Sequence, residues 1–157
     1  MSSHITYDPA YNTVGRDDFK SLIEVDRYGD RSTAFDAIIS ATEDHFWDPN
    51  DPAYLDFTEK FDLQERLLMP RDFVVEPNSA VAARLSPQQQ IGLANESTRF
   101  SISSILHGEQ GALSLSASLC QIMRDPGAQE YAANQAREEA RHVTAFSHYV
   151  RARWGTP

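Results

Sequence analysis

The chain has 157 residues, of which 41% are hydrophobic, and its formal net charge is −9 at pH 7. This length predicts a single domain, residues 1–157. The acidic balance argues against a nucleic-acid surface. Cys120 is the single cysteine, which excludes an internal disulfide. The polar N-terminus and the lack of a long apolar run predict a cytoplasmic protein that does not enter a membrane.

Residues 1–85 are expected to form a helical and irregular segment that covers the rest of the chain. Residues 1–15 are expected to be irregular, because Pro, Gly and polar residues are scattered through them. Apolar spacing predicts a short helix over Asp17–Tyr28. Ser32 is a suitable N-cap for a second helix that runs to about Trp47. A turn cluster follows at residues 48–52.

The segment from Ala53 to Leu85 has weaker signals. A helix is expected over Asp62–Met69, ended by the following proline, and a short one from Asn78 to Arg84. No strand pattern persists beyond residues 72–76, so the fold class is all-α. The side chains expected to pack against the rest of the chain are Tyr54, Phe57, Phe61, Leu67, Leu68 and Phe73.

The sequence of residues 86–154 predicts two long helices. Ser86 and Gln89 match a capping box around Pro87, and no proline interrupts the sequence from there to Arg124. Asp-Pro-Gly at residues 125–127 then breaks the helix. A second helix is expected from Ala128 to Trp154. The short connection predicts that the two helices fold back on each other as an antiparallel hairpin.

Each long helix carries an apolar stripe at three- and four-residue steps. In the first helix the stripe consists of Ile91, Ala94, Thr98, Ile102, Ile105, Glu109, Ala112, Ser116, Leu119 and Met123. In the second helix it consists of Ala132, Gln135, Glu139, His142, Phe146 and Tyr149. Potential ligands therefore fall on faces that the hairpin would turn inward.

Three of these side chains are expected to lie at one level of the hairpin. Glu109 precedes the turn by nearly the same number of residues as Glu139 and His142 follow it. Glu139 and His142 are three residues apart and project from the same helix face. Two carboxylates and an imidazole suit a metal ion. Without a metal, the pKa of Glu109 is expected to be raised, since an unpaired buried carboxylate is costly.

Glu109 followed one helix later by Glu139-Ala-Arg-His142 resembles the first half-site of the ferritin-like di-iron carboxylate proteins, which include the ribonucleotide reductase small subunit and bacterial di-iron oxygenases. The flanking His-Gly-Glu-Gln-Gly and Glu-Glu-Ala-Arg-His segments are most similar to the oxygenase-like members. The resemblance covers residues 86–154. It implies half of a four-helix bundle, iron (or manganese) as the cofactor, and Glu109, Glu139 and His142 as ligands.

By the same resemblance, the activity would be the O₂-dependent oxidation of a small organic substrate with an external electron donor. Such families supply a second Glu and a second Glu-x-x-His from a later helix pair. None of the other four histidines of this chain has a Glu three residues before it. A homodimer or a complementary chain is therefore expected to complete the site. The alternatives are a truncated, non-catalytic helical interaction module and a ferroxidase.

Other polar side chains carry competing interpretations. Glu138 lies four residues before His142 and matches its spacing as well as Glu139 does; the family pattern selects Glu139. Arg141 is a candidate to brace a ligand from outside the metal site, or else forms an outward salt bridge. Glu43 and His45 cannot share a helix face, which disfavours a second metal site there. The remaining groups are assigned to surface or packing roles: Glu96, His107, Cys120, Glu130 and His148.

Overall fold

The computed structural model describes residue 29, residues 31–123 and residues 125–157. In these residues the chain forms three α-helices and no strand; the helices are α1 (Asp36–Asp44), α2 (Pro87–Ile122) and α3 (Pro126–Trp154). None of the three carries an apolar stretch that could cross a bilayer. Because α2 and α3 pack on each other as an antiparallel pair, the predicted all-helical hairpin is confirmed.

The start of α2 is the capping box predicted from the sequence. The hydroxyl of Ser86 accepts a hydrogen bond from the backbone N–H of Gln89 at 3.2 Å. The side-chain oxygen of Gln89 in turn accepts from the backbone N–H of Ser86 at 2.9 Å. Pro87 occupies the first turn, where its missing N–H leaves no hydrogen bond unmade. These contacts fix the residue at which the long helix begins.

The corner between α2 and α3 depends on the carboxylate of Asp125. One of its oxygens accepts from the backbone N–H of Gly127 at 3.0 Å, and the other from that of Ala128 at 3.3 Å, which caps α3. The first oxygen also accepts from the backbone N–H of Ser32 at 2.8 Å. Gly127 is buried against this same stretch of backbone. One side chain therefore starts α3 and ties the segment before α1 to the corner.

The hairpin has a small buried core. Its buried apolar residues are Ala94, Ala132 and Val150. Its buried polar residues are Asn95, Thr98, Ser116 and Glu139. Several large apolar side chains of α2 are exposed instead: Phe100 at 75%, Leu115 at 61% and Ile122 at 63%. The described residues therefore leave much of the apolar surface of α2 uncovered.

Helix α1 packs against α3. The rings of Phe35 and Tyr131 stack with their centroids 5.0 Å apart. The side-chain amide of Asn134 donates to the hydroxyl of Thr42 at 3.1 Å. The helix ends earlier than the predicted Trp47, because the ring of His45 turns back to the carbonyl of the preceding turn.

Residues 46–85, the covering segment, are held by a buried amide that the sequence did not reveal. The side chain of Asn95, whose residue is 2% exposed, donates to the carbonyls of Leu63 and Arg66 at 2.8 and 2.7 Å. Its oxygen accepts from the backbone N–H of Leu68 at 2.9 Å. A buried amide without such partners would destabilise the fold. Asn95 therefore fixes the covering segment to α2.

The end of the covering segment is attached to the first turns of α2 by two further polar side chains. The amide of Gln90 donates to the carbonyls of Ala82 and Leu85 at 2.9 and 3.2 Å. The hydroxyl of Ser97 donates to the carboxylate of Glu76 at 2.5 Å. Side-chain hydrogen bonds thus hold this stretch, which has little regular structure of its own.

Several expectations for residues 32–85 are wrong. Asp62–Met69 is not a helix: it forms a turn and irregular chain, in which the carbonyls of Leu63 and Arg66 accept from the side chain of Asn95. The helix expected to end at Arg84 consists only of short 3₁₀ turns. Two predicted packing residues are exposed, Phe73 at 75% and Tyr54 at 50%.

The N-terminal predictions have two different outcomes. Ser32 does not cap α1: its hydroxyl accepts from the backbone N–H of Ala34, and α1 begins at Asp36 without a side-chain cap. The irregular arm over residues 1–15 and the short helix over Asp17–Tyr28 lie outside the described residues.

Replacing Gly127 by alanine is expected to destabilise the corner. The added Cβ would overlap the carbonyl oxygen of Ser32, and a backbone atom cannot rotate away. We expect Gly127→Ala to lower the free energy of unfolding by about 1–3 kcal/mol, the usual cost of overpacking. Gly92→Ala is the control: its Cβ would meet nothing within 4 Å, so the free energy of unfolding should rise by about 0.5–1 kcal/mol. Urea unfolding of both variants measures the difference, and equal stabilities would contradict the close approach.

The corner is also expected to weaken in acid. Hydrogen bonding from the backbone of Ser32 holds the pKa of Asp125 below its ordinary 3.8. Because the folded pKa is the lower one, the stabilisation is complete above the unfolded pKa and is lost as the pH falls through the folded value. The melting temperature of the unaltered protein should therefore exceed that of Asp125→Asn at neutral pH and approach it in acid. Asp72→Asn makes the same substitution at an exposed position outside the corner and should leave the melting temperature at neutral pH unchanged.

Candidate metal site

The three residues predicted as ligands come together between α2 and α3. Nδ1 of His142 lies 3.1 Å from Oε2 of Glu109 and 3.2 Å from Oε2 of Glu139. One ligand atom from each residue can be chosen so that all three lie within 4.8 Å of one another. In the described part of the chain no other three carboxylate, imidazole or thiol groups meet this condition. The hairpin register expected from the sequence therefore holds at this level.

The spacing and chemistry of these atoms fit a metal ion. Bonds from a metal to carboxylate oxygen or imidazole nitrogen are about 2.0–2.2 Å long, so neighbouring ligand atoms in one coordination sphere lie about 3 Å apart. The distances of 3.1 and 3.2 Å from Nδ1 of His142 match that separation. Three protein ligands also leave coordination positions open, as in catalytic rather than structural metal sites.

The two carboxyl groups interact with each other in the metal-free chain. The side chain of Glu139 is 9% exposed and that of Glu109 is 20% exposed. A hydrogen bond to Glu139, together with burial, raises the pKa of Glu109. The same hydrogen bond lowers the pKa of Glu139. As the pH falls, Glu109 is therefore the first of the two carboxyl groups to take up a proton, and the direction of its pKa shift is the one expected for the metal-free chain.

Two further side chains hold the ligands in position. The amide of Gln135 donates a short hydrogen bond of 2.5 Å to Oε1 of Glu139. The indole of Trp47 stacks on the imidazole of His142, with the ring centroids 6.0 Å apart and the planes at 21°. Gln135 lies one turn before Glu139 on the same face, so its spacing could have suggested this contact. No sequence signal connects Trp47 with His142.

Glu138 and Glu139, which spacing alone could not distinguish as partners of His142, make different contacts. Glu138 accepts from Arg141 at 2.7 and 3.0 Å and from Arg137 at 3.3 Å, whereas Glu139 contacts His142. The guanidinium of Arg141 also lies over the ring of Phe46, 4.6 Å from its centroid. Arg141 therefore forms the salt bridge that was one of its two predicted roles, and does not brace a ligand.

The other titratable groups considered in the sequence lie outside this cluster. Glu96 pairs with Arg99, and Glu130 pairs with Arg31. His107 is exposed, whereas His148 and Cys120 are half-buried. The ring of His45 contacts a backbone carbonyl.

Comparison of the chain with protein-family models, with curated proteins and with solved structures gave no match. Membership of the ferritin-like proteins is not shown by these comparisons. The resemblance of the two motifs to that family is a proposal, and the geometry of Glu109, Glu139 and His142 is what supports it.

The contact from Gln135 predicts a measurable effect on metal affinity. Gln135→Leu removes the donor that orients Glu139, and the loss of such a contact typically weakens metal binding by about 10–100-fold. Gln110→Leu is the control, because it makes the same substitution at an exposed position of α2 next to Glu109. Titration with Co²⁺, followed by its visible absorption, measures both affinities. Equal affinities would show that Gln135 does not support the ligand.

Proposed function

We propose that the chain is one half of a di-iron carboxylate oxidoreductase of the ferritin-like type. In this proposal Glu109, Glu139 and His142 hold iron, with manganese as the alternative metal. A second copy of the chain supplies the matching ligands. The observation that carries the proposal is the convergence of these three ligand atoms within 4.8 Å from two antiparallel helices.

The roles of the residues follow from their chemistry. The carboxylates of Glu109 and Glu139 offset the positive charge of the metal, and His142 adds a nitrogen ligand. Gln135 and Trp47 fix the orientations of Glu139 and His142. Because a bound cation disfavours the protonated carboxyl, a metal ion in this site would lower the pKa of Glu109 and favour its ionised form. Iron in such a site supplies the activation of O₂ for the oxidation of an organic substrate, with electrons from an external donor.

Apolar surface beside the site supports a partner chain. A groove next to Ile102 is lined by side chains that water still reaches: Met69 at 41%, Ile105 at 45%, Phe73 at 75% and Val75 at 79% exposed. Glu76, Ser97, Thr98 and Ser101 also line this groove, so it combines exposed apolar side chains with polar ones, as the rims of interaction sites do. A two-fold dimer would cover it and bring two Glu and Glu-x-x-His sets together. The partner in this proposal is a second copy, and the protein is cytoplasmic.

A second function is favoured by a separate observation. The outer face of α2 exposes Phe100, Leu115 and Ile122. If this face binds another protein, the chain is a non-catalytic helical interaction module. The presence of metal and the assembly size separate the two functions, because the module needs no metal. A large shell would instead indicate a ferroxidase that stores iron.

Reconstitution with Fe²⁺ tests the proposal directly. Iron measured by mass spectrometry should reach about one ion per chain, or two per dimer, as a shared carboxylate site requires. Glu139→Gln should lose the iron, because an amide is a poor ligand. Glu138→Gln is the matched control: it makes the same change one residue away, on the side that faces Arg141, and should keep the iron. Light scattering on the same samples gives the assembly size.

Two outcomes would count against this function. Folded protein that takes up no iron at the dimer mass would contradict a site completed by a second copy. Equal iron in Glu139→Gln and Glu138→Gln would show that iron binds elsewhere. Circular dichroism of both variants checks that they fold before the iron contents are compared.

A further inference from the structure

A pocket of about 430 Å³ lies between the hairpin and the covering segment. The covering segment contributes Trp47, Leu55 and Phe57 to its walls, and α3 contributes Phe146 and Tyr149. The volume is within the range typical of small-molecule sites, about 300–1,000 Å³. The pocket is therefore large enough for a molecule of one or two rings.

The lining of this pocket selects against charged molecules. Of the described residues that form its walls, only His142 has a side chain that can be charged near neutral pH. A cation would lose its hydration without gaining an opposite charge, and an anion would find only His142, which already contacts two carboxylates. The chain is acidic, with a net charge of −9, but no acidic side chain of the described residues lines this pocket. An uncharged ligand is therefore the one that the lining accepts.

The shape of the walls favours a flat ring. Phe57 and Tyr149 meet edge to face with their centroids 5.4 Å apart. Aromatic walls of this kind present ring faces and edges against which another ring packs in offset or edge-on contacts. A planar aromatic molecule gains these contacts as well as the burial of its apolar surface.

His142 connects the pocket with the candidate metal site. Its Nδ1 lies 3.1 Å from Glu109, while its ring forms part of the pocket wall and its side chain is 41% exposed. We propose that this pocket binds a small, uncharged aromatic molecule, held against the imidazole of His142. That this molecule is the substrate to be oxidised rests on the proposed function; that the pocket binds it does not.

Binding to the metal-free protein tests the proposal. Toluene is the probe, and benzoate, which has the same ring with a negative charge, is the control ligand. Saturation-transfer NMR should show saturable binding of toluene. Benzoate should bind at least about tenfold more weakly, because its negative charge would lose hydration close to the two carboxylates that already contact His142. Intermolecular NOEs should connect toluene with the ring protons of His142 or Phe146, which locates the probe without any substitution.

A variant pair tests the location independently. Ala145 lines the pocket, and Ala145→Phe should fill it and lower the affinity for toluene about tenfold or more. Ala133→Phe makes the same change at an exposed position of α3 and should leave the affinity unchanged. The proposal would be overturned if toluene did not bind, if benzoate bound as tightly as toluene, or if the NOEs connected toluene with residues outside the pocket. Toluene binding without iron uptake would remove only the substrate role, whereas iron uptake without toluene binding would leave the metal site and refute the pocket.

Discussion

The turn at residues 125–127 fixes the register between α2 and α3, and the contact of Glu109 with His142 in the candidate metal site depends on that register. A shift of one residue along α3 would move Glu139 and His142 about 100° around their helix, away from Glu109. Asp125 prevents such a shift by capping α3 and holding the backbone of Ser32 with the same carboxylate. A contact far from the ligands therefore determines whether they meet.

Placing two carboxyl groups next to each other in a small buried core lowers the stability of the fold. When two carboxyl groups lie this close, ionising both is unfavourable unless a cation compensates their negative charges. In the metal-free chain this interaction raises the pKa of Glu109, and Nδ1 of His142 lies 3.1 Å from the same carboxyl group. The buried alanines of the hairpin, Ala94 and Ala132, contribute little apolar burial in return. An arrangement that costs stability and yet brings three ligands together is typical of a functional site.

The sequence predicted those parts of the structure that depend on local chemistry and helical period. The capping box at Ser86, the break at residues 125–127 and the meeting of Glu109 with His142 follow from spacing alone. Prediction from the sequence failed where side chains that are distant along the chain hold the backbone. Where a helix was expected over Asp62–Met69, an irregular stretch is held by Asn95, and no local pattern predicts such a contact. Trp47 reaches His142 for the same long-range reason.

Asn95 attaches the covering segment through its backbone, whereas the side chains of that segment form walls of the groove and of the pocket. All three hydrogen bonds of this amide reach backbone atoms of residues 63, 66 and 68, so they do not depend on the side chains there. Met69, which follows directly, lines both the apolar groove and the pocket beside His142. Substitutions in this wall can therefore accumulate while its anchor is kept. The pocket can in this way acquire new ligand preferences over evolution without any change in how the segment is attached to α2.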